Sequence, residues 1–396
     1  MCFLANRTDA MTQILMHARL FDGDQFHAGK AVTLEDGRIS SIIDSPNKLG
    51  GYEPHDLTGL VLAPGFVDAQ VNGGGGVMLN ADTTLPQLEA MADAHRAYGT
   101  TSMLPTLISD AWPAMEHVAH LIELAHRHWG EDRSLSAIKG VHFEGPYLNA
   151  ARKGVHPEEQ LRPVDDRAVD LMTHPDLGVR LITVAPEKVG PGFIRECVHQ
   201  GALVSAGHTA GSYQDMTAAI RAGLRGFTHL FNAMTPMGSR EPGVVGAALD
   251  DPDTWCGLIA DGFHVHPASM RNAIKTKPRG KVMLVTDAMA SVGSDEAAFT
   301  LHDQTVTVQD GRCQLKDGTL AGSALTMIGA VRNVVELIGL PLSEALRMAS
   351  RYPASFMRMD TSLGLIAPGF SADLVAFDPE TWTVKHSWIN GFHRAH

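Results

Sequence analysis

Val204–Leu249 reads VSAGHTAGSYQDMTAAIRAGLRGFTHLFNAMTPMGSREPGVVGAAL. Two short apolar runs of the kind that form buried strands, Leu203–Ala206 and Gly226–Thr228, each lead into a histidine, His208 and His229. Between them, Ser212–Ala222 has the spacing of one amphipathic helix. Ser212 is a good N-cap with Asp215 three residues later, and Gly223 stands where a helix C-terminus wants positive φ. The local reading is strand, His, helix, strand, His. If the strands are parallel neighbours, both imidazoles emerge at one end of the sheet, an arrangement that can hold a metal ion.

The same rhythm extends outward. Strand-like runs fall near Phe66–Gln70, Thr101–Pro105, Ile138–Phe143, Arg180–Ala185, Leu203–Ala206, Gly226–Thr228, Gly257–Ala260 and Lys281–Thr286. Helical stretches at Leu85–Ala97, Ala111–Trp129, Phe193–His199, Ser212–Ala222 and Pro267–Ile274 separate most of them, with a weak one at Val244–Leu249. Eight β-then-α units point to a (β/α)8 TIM-type barrel over residues 63–362. A doubly wound open sheet is the rival, but eight parallel strands favour closure. The flanks differ: β-rich runs with Asp22-Gly23, Asp36-Gly37 and Asn390-Gly391 turns suggest a small β-sandwich domain built from residues 1–62 and 363–396. Phe299–Leu315 alternates like a hairpin and is expected to be an insertion that joins this β domain.

Composition narrows the partners. The chain has 396 residues, 44% of them hydrophobic, so a large core can form. A net charge of −12 without a Lys/Arg-rich run argues against nucleic acid. No apolar run approaches the ~20 residues of a membrane span, and Met1–Ala10 lacks the features of a signal peptide and reads as a frayed extension. Cys2, Cys197, Cys256 and Cys313 form no CxxC pair, which suits reduced thiols in the cytoplasm.

Barrels of this type place chemistry at the C-terminal ends of their strands. Those ends carry Asp68, Gln70 and Asn72, then Glu144, His208, His229, Asp261 with His264, and Asp287. A lone strand-end His is commonly a satisfied core or rim residue, and a lone Asp a helix cap; several converging on one rim are harder to explain so. Glu144, His208 and His229 supply one oxygen and two nitrogens, a common ligand set for catalytic Zn2+ with a position left for water. Asp287 is the candidate to take a proton from that water and hand it to a leaving group, the requirement for hydrolysis of an amide or ester. Other features are weaker. His126 and His128 resemble an HxH pair, but i and i+2 side chains on a helix point apart, and with His117 and His120 they read as a solvated face. Gly73–Gly76 lacks a following GK[ST] and reads equally as a turn. Arg240, in a Gly/Pro loop past a ligand-bearing strand, is either an exposed loop arginine or a grip on an anionic group.

Taken together, PGFVDAQVNGGGG (Pro64–Gly76), HFEGPYLN (His142–Asn149), KGVHP (Lys153–Pro157), AGHT (Ala206–Thr209), THLFNAM (Thr228–Met234), SREPG (Ser239–Gly243), ADGFHV (Ala260–Val265), LVTDAM (Leu284–Met289) and LAGSALTM (Leu320–Met327) resemble the N-acetylglucosamine-6-phosphate deacetylases of the amidohydrolase superfamily, in the same order. The resemblance implies Glu144, His208 and His229 as ligands of one divalent ion per subunit, expected to be Zn2+, and Asp287 as general base and acid. It implies substrate contacts from Val155, His156, Asn232, Ala233, Arg240, Asp261, Gly262, Phe263, His264, Leu320, Ala321 and Gly322. It further implies a cytoplasmic homodimer acting on a phosphorylated N-acetyl amino sugar, some contacts coming from the partner chain. N-acetyl-D-glucosamine 6-phosphate is the expected substrate and N-acetylgalactosamine 6-phosphate the alternative; a catalytically dead scaffold is the remote one. Where many relatives in the superfamily end strand one with HxH and bind two metals, this chain has Gln70 and Asn72, so the second metal position is expected to be weak or empty.

Overall fold

The computed structural model describes residues 12–44, 50–128 and 134–396. The expectations for Met1–Ala10 and the end of the helix at Trp129 lie outside the described residues. Eight strands form the central sheet: β1 (Phe66–Val71), β2 (Thr100–Ile108), β3 (Gly140–Glu144), β4 (Val179–Val184), β5 (Leu203–Ala206), β6 (Gly226–Phe227), β7 (Trp255–Leu258) and β8 (Val282–Leu284). Each is hydrogen-bonded in parallel to the next in sequence order. The circle closes just past β8, where the Asp287 amide donates to the Gln70 carbonyl (3.0 Å) and the Asn72 amide to the Ala288 carbonyl (2.9 Å). This is the (β/α)8 barrel, and it disposes of the open-sheet rival.

Strand alternation sorts the side chains. On β3, Val141 and Phe143 pack outward into the larger core with Ile182 and Val184 of β4. His142 and Glu144 therefore face the barrel interior. The helix between β5 and β6 runs Tyr213–Arg221, with Ser212 and Asp215 exchanging cap hydrogen bonds and Gly223 at φ +105°. The weak helix after β6 is real and covers Gly243–Asp250. It is short and mostly buried, which explains its faint amphipathic signal.

Both chain ends build the flanking sheets. Arg38–Asp44, Lys30–Glu35, Gln13–Met16 and Glu53–Asp56 form one; Phe392–Ala395, Thr383–Ile389, Leu374–Asp378, Val61–Pro64, Arg19–Phe21 and Phe26–His27 form the other. Period-two alternation makes the second sheet two-sided. Leu62, Leu374, Ala376 and Trp388 enter the core between the sheets, whereas Val61, Ala63, Val375 and Phe377 pack against the barrel.

Phe299–Leu315 departs from the expectation. Ala298–Leu301, Gln304–Gln309, Arg312–Gln314 and Leu320–Ser323 make a separate antiparallel meander and join neither terminal sheet. Its own apolar face (Leu301, Val306, Cys313, Ala321) packs on Ile108 and Met289 beside the barrel mouth. Ser323 anchors it there, its amide donating to the Asp287 carbonyl at 2.9 Å.

Candidate active site

Three strand ends converge on one point. His229 Nε2 lies 3.0 Å from Glu144 Oε1 and 3.0 Å from His208 Nε2, and His208 Nε2 is 3.4 Å from the same carboxylate oxygen. Tetrahedral Zn2+ with bonds of about 2.0–2.1 Å holds its donors roughly 3.3 Å apart, so the spacing fits one ion. His208 Nδ1 donates to the Arg152 carbonyl at 2.8 Å, a bond that would keep the ring proton on Nδ1 and free Nε2 for an ion once one is bound. Glu144, His229 and His208 are 2%, 3% and 7% exposed. Burial alone would raise the Glu144 carboxyl, but hydrogen bonds from His208 and His229 outweigh it and hold it well below its usual range. Burial opposes charge on His229, yet the Glu144 hydrogen bond and charge leave its pKa raised. The pocket thus favours positive charge at the point where the three donor atoms meet.

Backbone geometry aims these groups. His208, His229 and Asp287 have φ of +47°, +35° and +52°. Non-glycine residues rarely adopt this region, and such strain gathers at functional sites. Each residue lies just past a barrel strand, where the left-handed kink swings the side chain out of the sheet into the mouth. A brace supports the first kink: Glu187 accepts from the Ala210 amide (2.8 Å) and the Asn149 side chain (2.9 Å), and the Asn149 amide holds the His208 carbonyl at 2.9 Å.

Asp287 lies across the cavity, 9% exposed. Burial, with repulsion from Glu144, pushes its carboxyl up to about 6. Its Oδ1 accepts from Asn72 Nδ2 (2.6 Å) and Gln70 Nε2 (3.1 Å), and Gln70 Nε2 also reaches Glu144 Oε1 at 3.1 Å. The two amides standing at the HxH positions therefore point N–H groups at the carboxylates. Donors in those places repel a second cation and position Asp287. Beneath them Asp68, fully buried and raised to about 7 by that burial, accepts from the Thr286 hydroxyl at 2.5 Å and ties β1 to the end of β8.

Among the described residues, Glu144, His156 and His208 also bring ligand atoms within 4.8 Å of one another. Hydrogen bonding separates His156 from the ligands. Its Nδ1 accepts the Ser109 backbone N–H at 3.1 Å, a proton that cannot be returned. The neutral ring must then carry its proton on Nε2, and burial keeps it neutral by holding its pKa well below the usual value. His156 is a hydrogen-bond donor to the cavity. His264 is the converse: Nδ1 donates to Asp261 Oδ2 at 2.6 Å, so Nε2 is the ring nitrogen left for a ligand.

A cavity of about 180 Å³ opens above these groups, lined by Glu144, His208, His229, Asp287, Asn72, His156, Val155, Asn232, Ala233, His264, Leu320 and Gly322. Ile108, Gly154 and Met289 complete the wall. Ile108 was legible as the continuation of the β2 apolar run beyond Pro105, and Met289 as the second residue after Asp287. Five expected contacts, Asp261, Gly262, Phe263, Ala321 and Arg240, lie outside this lining. The Asp261 carboxylate turns inward to hold the Phe263 and His264 amides as well as the His264 ring. Gly262 supplies the positive φ of that turn, at +81°. Phe263 faces out, under the Arg312 guanidinium at 4.2 Å. Ala321 sits on the opposite face of its strand from Leu320 and Gly322, in the meander core. Arg240 also stays clear of the cavity, exposed on the loop after β6.

The weaker motifs resolve structurally. Gly73 and Gly74 form a tight hairpin with Val77–Met78, and a Cβ on Gly73 would lie 2.4 Å from the Val77 carbonyl oxygen. His117 bonds to the Thr83 carbonyl and His126 to the Asp176 carbonyl, both away from the mouth.

Comparison with known proteins agrees with this geometry. The Amidohydrolase family matches residues 61–393. The chain is 45% identical over 340 residues to an N-acetylgalactosamine-6-phosphate deacetylase of Shewanella sp. (strain ANA-3), covering 86% of this chain and 84% of that one. It is 34% identical over 365 residues to an N-acetylglucosamine-6-phosphate deacetylase of Haemophilus influenzae, covering 91% and 93%. The crystal structure of N-acetylglucosamine-6-phosphate deacetylase from Pasteurella multocida superposes with a TM-score of 0.92 at 36% identity, covering 98% of this chain and 100% of that one. The barrel, the convergent Glu-His-His set and these similarities lead to one conclusion: the chain belongs to the amidohydrolase family.

Proposed function

We propose that the chain hydrolyses the acetamide of N-acetyl-D-glucosamine 6-phosphate, releasing acetate and D-glucosamine 6-phosphate. The observation that carries this reading is the meeting of Glu144, His208 and His229 at 3.0–3.4 Å opposite the buried Asp287. Glu144, His208 and His229 would hold one divalent ion, Zn2+ by donor set. When bound, that ion supplies Lewis acidity, bringing a water's pKa toward about 7 and polarising an acetyl carbonyl. Asp287 takes the proton of the attacking water and returns it to the amine nitrogen as the C–N bond breaks. Gln70 and Asn72 hold the receiving carboxylate in place, which supports a single-ion site. His156 Nε2–H suits a substrate oxygen. His264 Nε2 suits a hydrogen bond to the sugar or to the amide oxygen.

Arg240 fits the 6-phosphate as a contact made outside its own chain's cavity. Its loop also exposes Met237, 66% accessible, an apolar side chain suited to a homodimer contact. The free, buried Cys197, Cys256 and Cys313 support a cytoplasmic setting. We take residues 63–362 as the catalytic barrel and 1–62 with 363–396 as its sandwich domain.

The 45% identity to an N-acetylgalactosamine-6-phosphate deacetylase favours a second reading, the same chemistry on the C4 epimer. The test is kcat/KM for both 6-phosphates and their unphosphorylated parents. Higher kcat/KM on the gluco phosphate is expected. Preference for the galacto phosphate moves the assignment to the epimer, and no acetate from either phosphate overturns it.

A further inference from the structure

Beneath the metal-ligand layer runs a belt of hydroxyls centred on His142, which is fully buried and faces the barrel interior. Thr106 Oγ1 on β2 accepts the Val71 amide of β1 at 3.0 Å and approaches His142 Nδ1 at 3.2 Å. His142 Nε2 meets Thr183 Oγ1 on β4 at 2.7 Å, and Thr183 Oγ1 meets Thr228 Oγ1, just past β6, at 2.7 Å. One order of protons uses every donor. Thr228 donates to Thr183, Thr183 to His142 Nε2, His142 Nδ1–H to Thr106, and Thr106 to the Leu104 carbonyl at 3.2 Å. The reverse order leaves the Thr228 hydroxyl proton without a partner among the described residues.

The belt matters because of what lies next to its centre and one of its ends. Glu144 is two residues beyond His142 on the same face of β3, and His229 directly follows Thr228. We propose that His142, Thr183 and Thr228 are positioning residues that set the distance between Glu144 and His229 and so the affinity of their metal site. This rests on the single-ion reading above. No residue of the belt lines the cavity, so its effect reaches a bound ion through the ligands that follow it on the backbone. Groups that orient metal ligands from behind are typically worth about 10–100-fold in affinity.

The test is the Zn2+ dissociation constant of the full chain, measured by competition with a chromophoric chelator. Thr183→Val replaces the hydroxyl by a methyl of similar size and cuts two links of the belt. It is expected to weaken Zn2+ about tenfold or more. Thr183→Ser keeps the hydroxyl and should restore affinity to within about threefold of the unsubstituted chain. Should Thr183→Val fail to fold, Thr106→Val cuts the belt at its other end and is expected to act in the same direction. Affinity unchanged in Thr183→Val and Thr106→Val overturns the proposal, as does equal loss in Thr183→Val and Thr183→Ser, which would trace the effect to packing. If the unsubstituted chain itself binds no Zn2+, the single-ion reading fails first and the belt proposal with it.

Discussion

Among the described residues, histidines cluster at the barrel mouth and in the sandwich, and their surroundings set the two clusters apart. At the barrel mouth, His156, His208 and His229 surround a carboxylate, and Glu144 lies 3.0–4.0 Å from all three rings' Nε2 atoms. In the sandwich, His55, His386 and His393 sit with ring centres 4.4 and 5.1 Å apart against Trp388, with Arg96 and Lys385 nearby and Glu53 acting on His55. Burial lowers all three sandwich histidines, reinforced in His393 by His55, His386, Arg96 and His396, so that it reaches about 4. At the mouth, the carboxylate reverses this for His229. Clustering alone thus says little. A carboxylate at hydrogen-bond distance charge-compensates packed imidazoles, as Glu144 does for His229, whereas the sandwich rings, with His386 hydrogen-bonded to His393 instead, have their pKa lowered by burial.

The sharpest way to break this comparison is at the mouth. Asp287→Asn should keep the Glu144–His208–His229 set and its ion while kcat falls roughly 10²–10⁴-fold, the usual worth of acid–base catalysis. Near-normal turnover would remove Asp287 from the reaction. Arg240→Ala should lower kcat/KM for the phosphorylated sugar by about 10–100-fold, from the loss of a charged hydrogen bond of about 1.5–3 kcal/mol. Turnover of the unphosphorylated sugar should be unchanged; an equal loss on both would place Arg240 in folding rather than in phosphate recognition.

The sandwich group yields a stability effect instead. The folded chain binds a proton at His393 less readily than the unfolded chain, whose histidine titrates near 6.5. Its contribution is therefore complete above that pH and is lost as the pH falls toward 4. Tm should drop over this window, and His393→Phe, which keeps a ring against Trp388, should shrink the drop. An identical pH profile in the variant would show that the acid response comes from elsewhere. The smallest effect belongs to the helix face whose histidines read as solvated from the sequence. His120→Ala should change stability by no more than about 0.5 kcal/mol and leave Zn2+ binding untouched, since the ring is 61% exposed and pairs loosely with Glu123 at 3.9 Å.

Much of this was legible because barrel strands announce themselves as apolar runs and their ends as polar exceptions. All eight runs hold a strand, although Gly226–Thr228 kept only Gly226–Phe227, Gly257–Ala260 overlaps Trp255–Leu258, and Lys281–Thr286 shrank to Val282–Leu284. Helix residues Ser212, Asp215 and Gly223 carried their capping roles unaided by tertiary context. What stayed hidden depends on direction. No residue letter shows that His208, His229 and Asp287 are kinked into positive φ, or that the Ser109 amide fixes the His156 tautomer. The motif ADGFHV placed Asp261 near the site, but only geometry shows it serving His264 instead of the cavity. The meander was misplaced because alternation in Phe299–Leu315 identifies strands without saying which sheet receives them. Its apolar face matched Ile108 and Met289 rather than the sandwich core.

The central claim is a single-ion amidohydrolase, and metal counting coupled to acetate release tests it most directly. The chain should hold one tight divalent ion. Chelation should abolish acetate release from N-acetyl-D-glucosamine 6-phosphate, and one equivalent of Zn2+ should restore it. Two equally tight ions, or acetate release that survives complete removal of metal, would contradict the account.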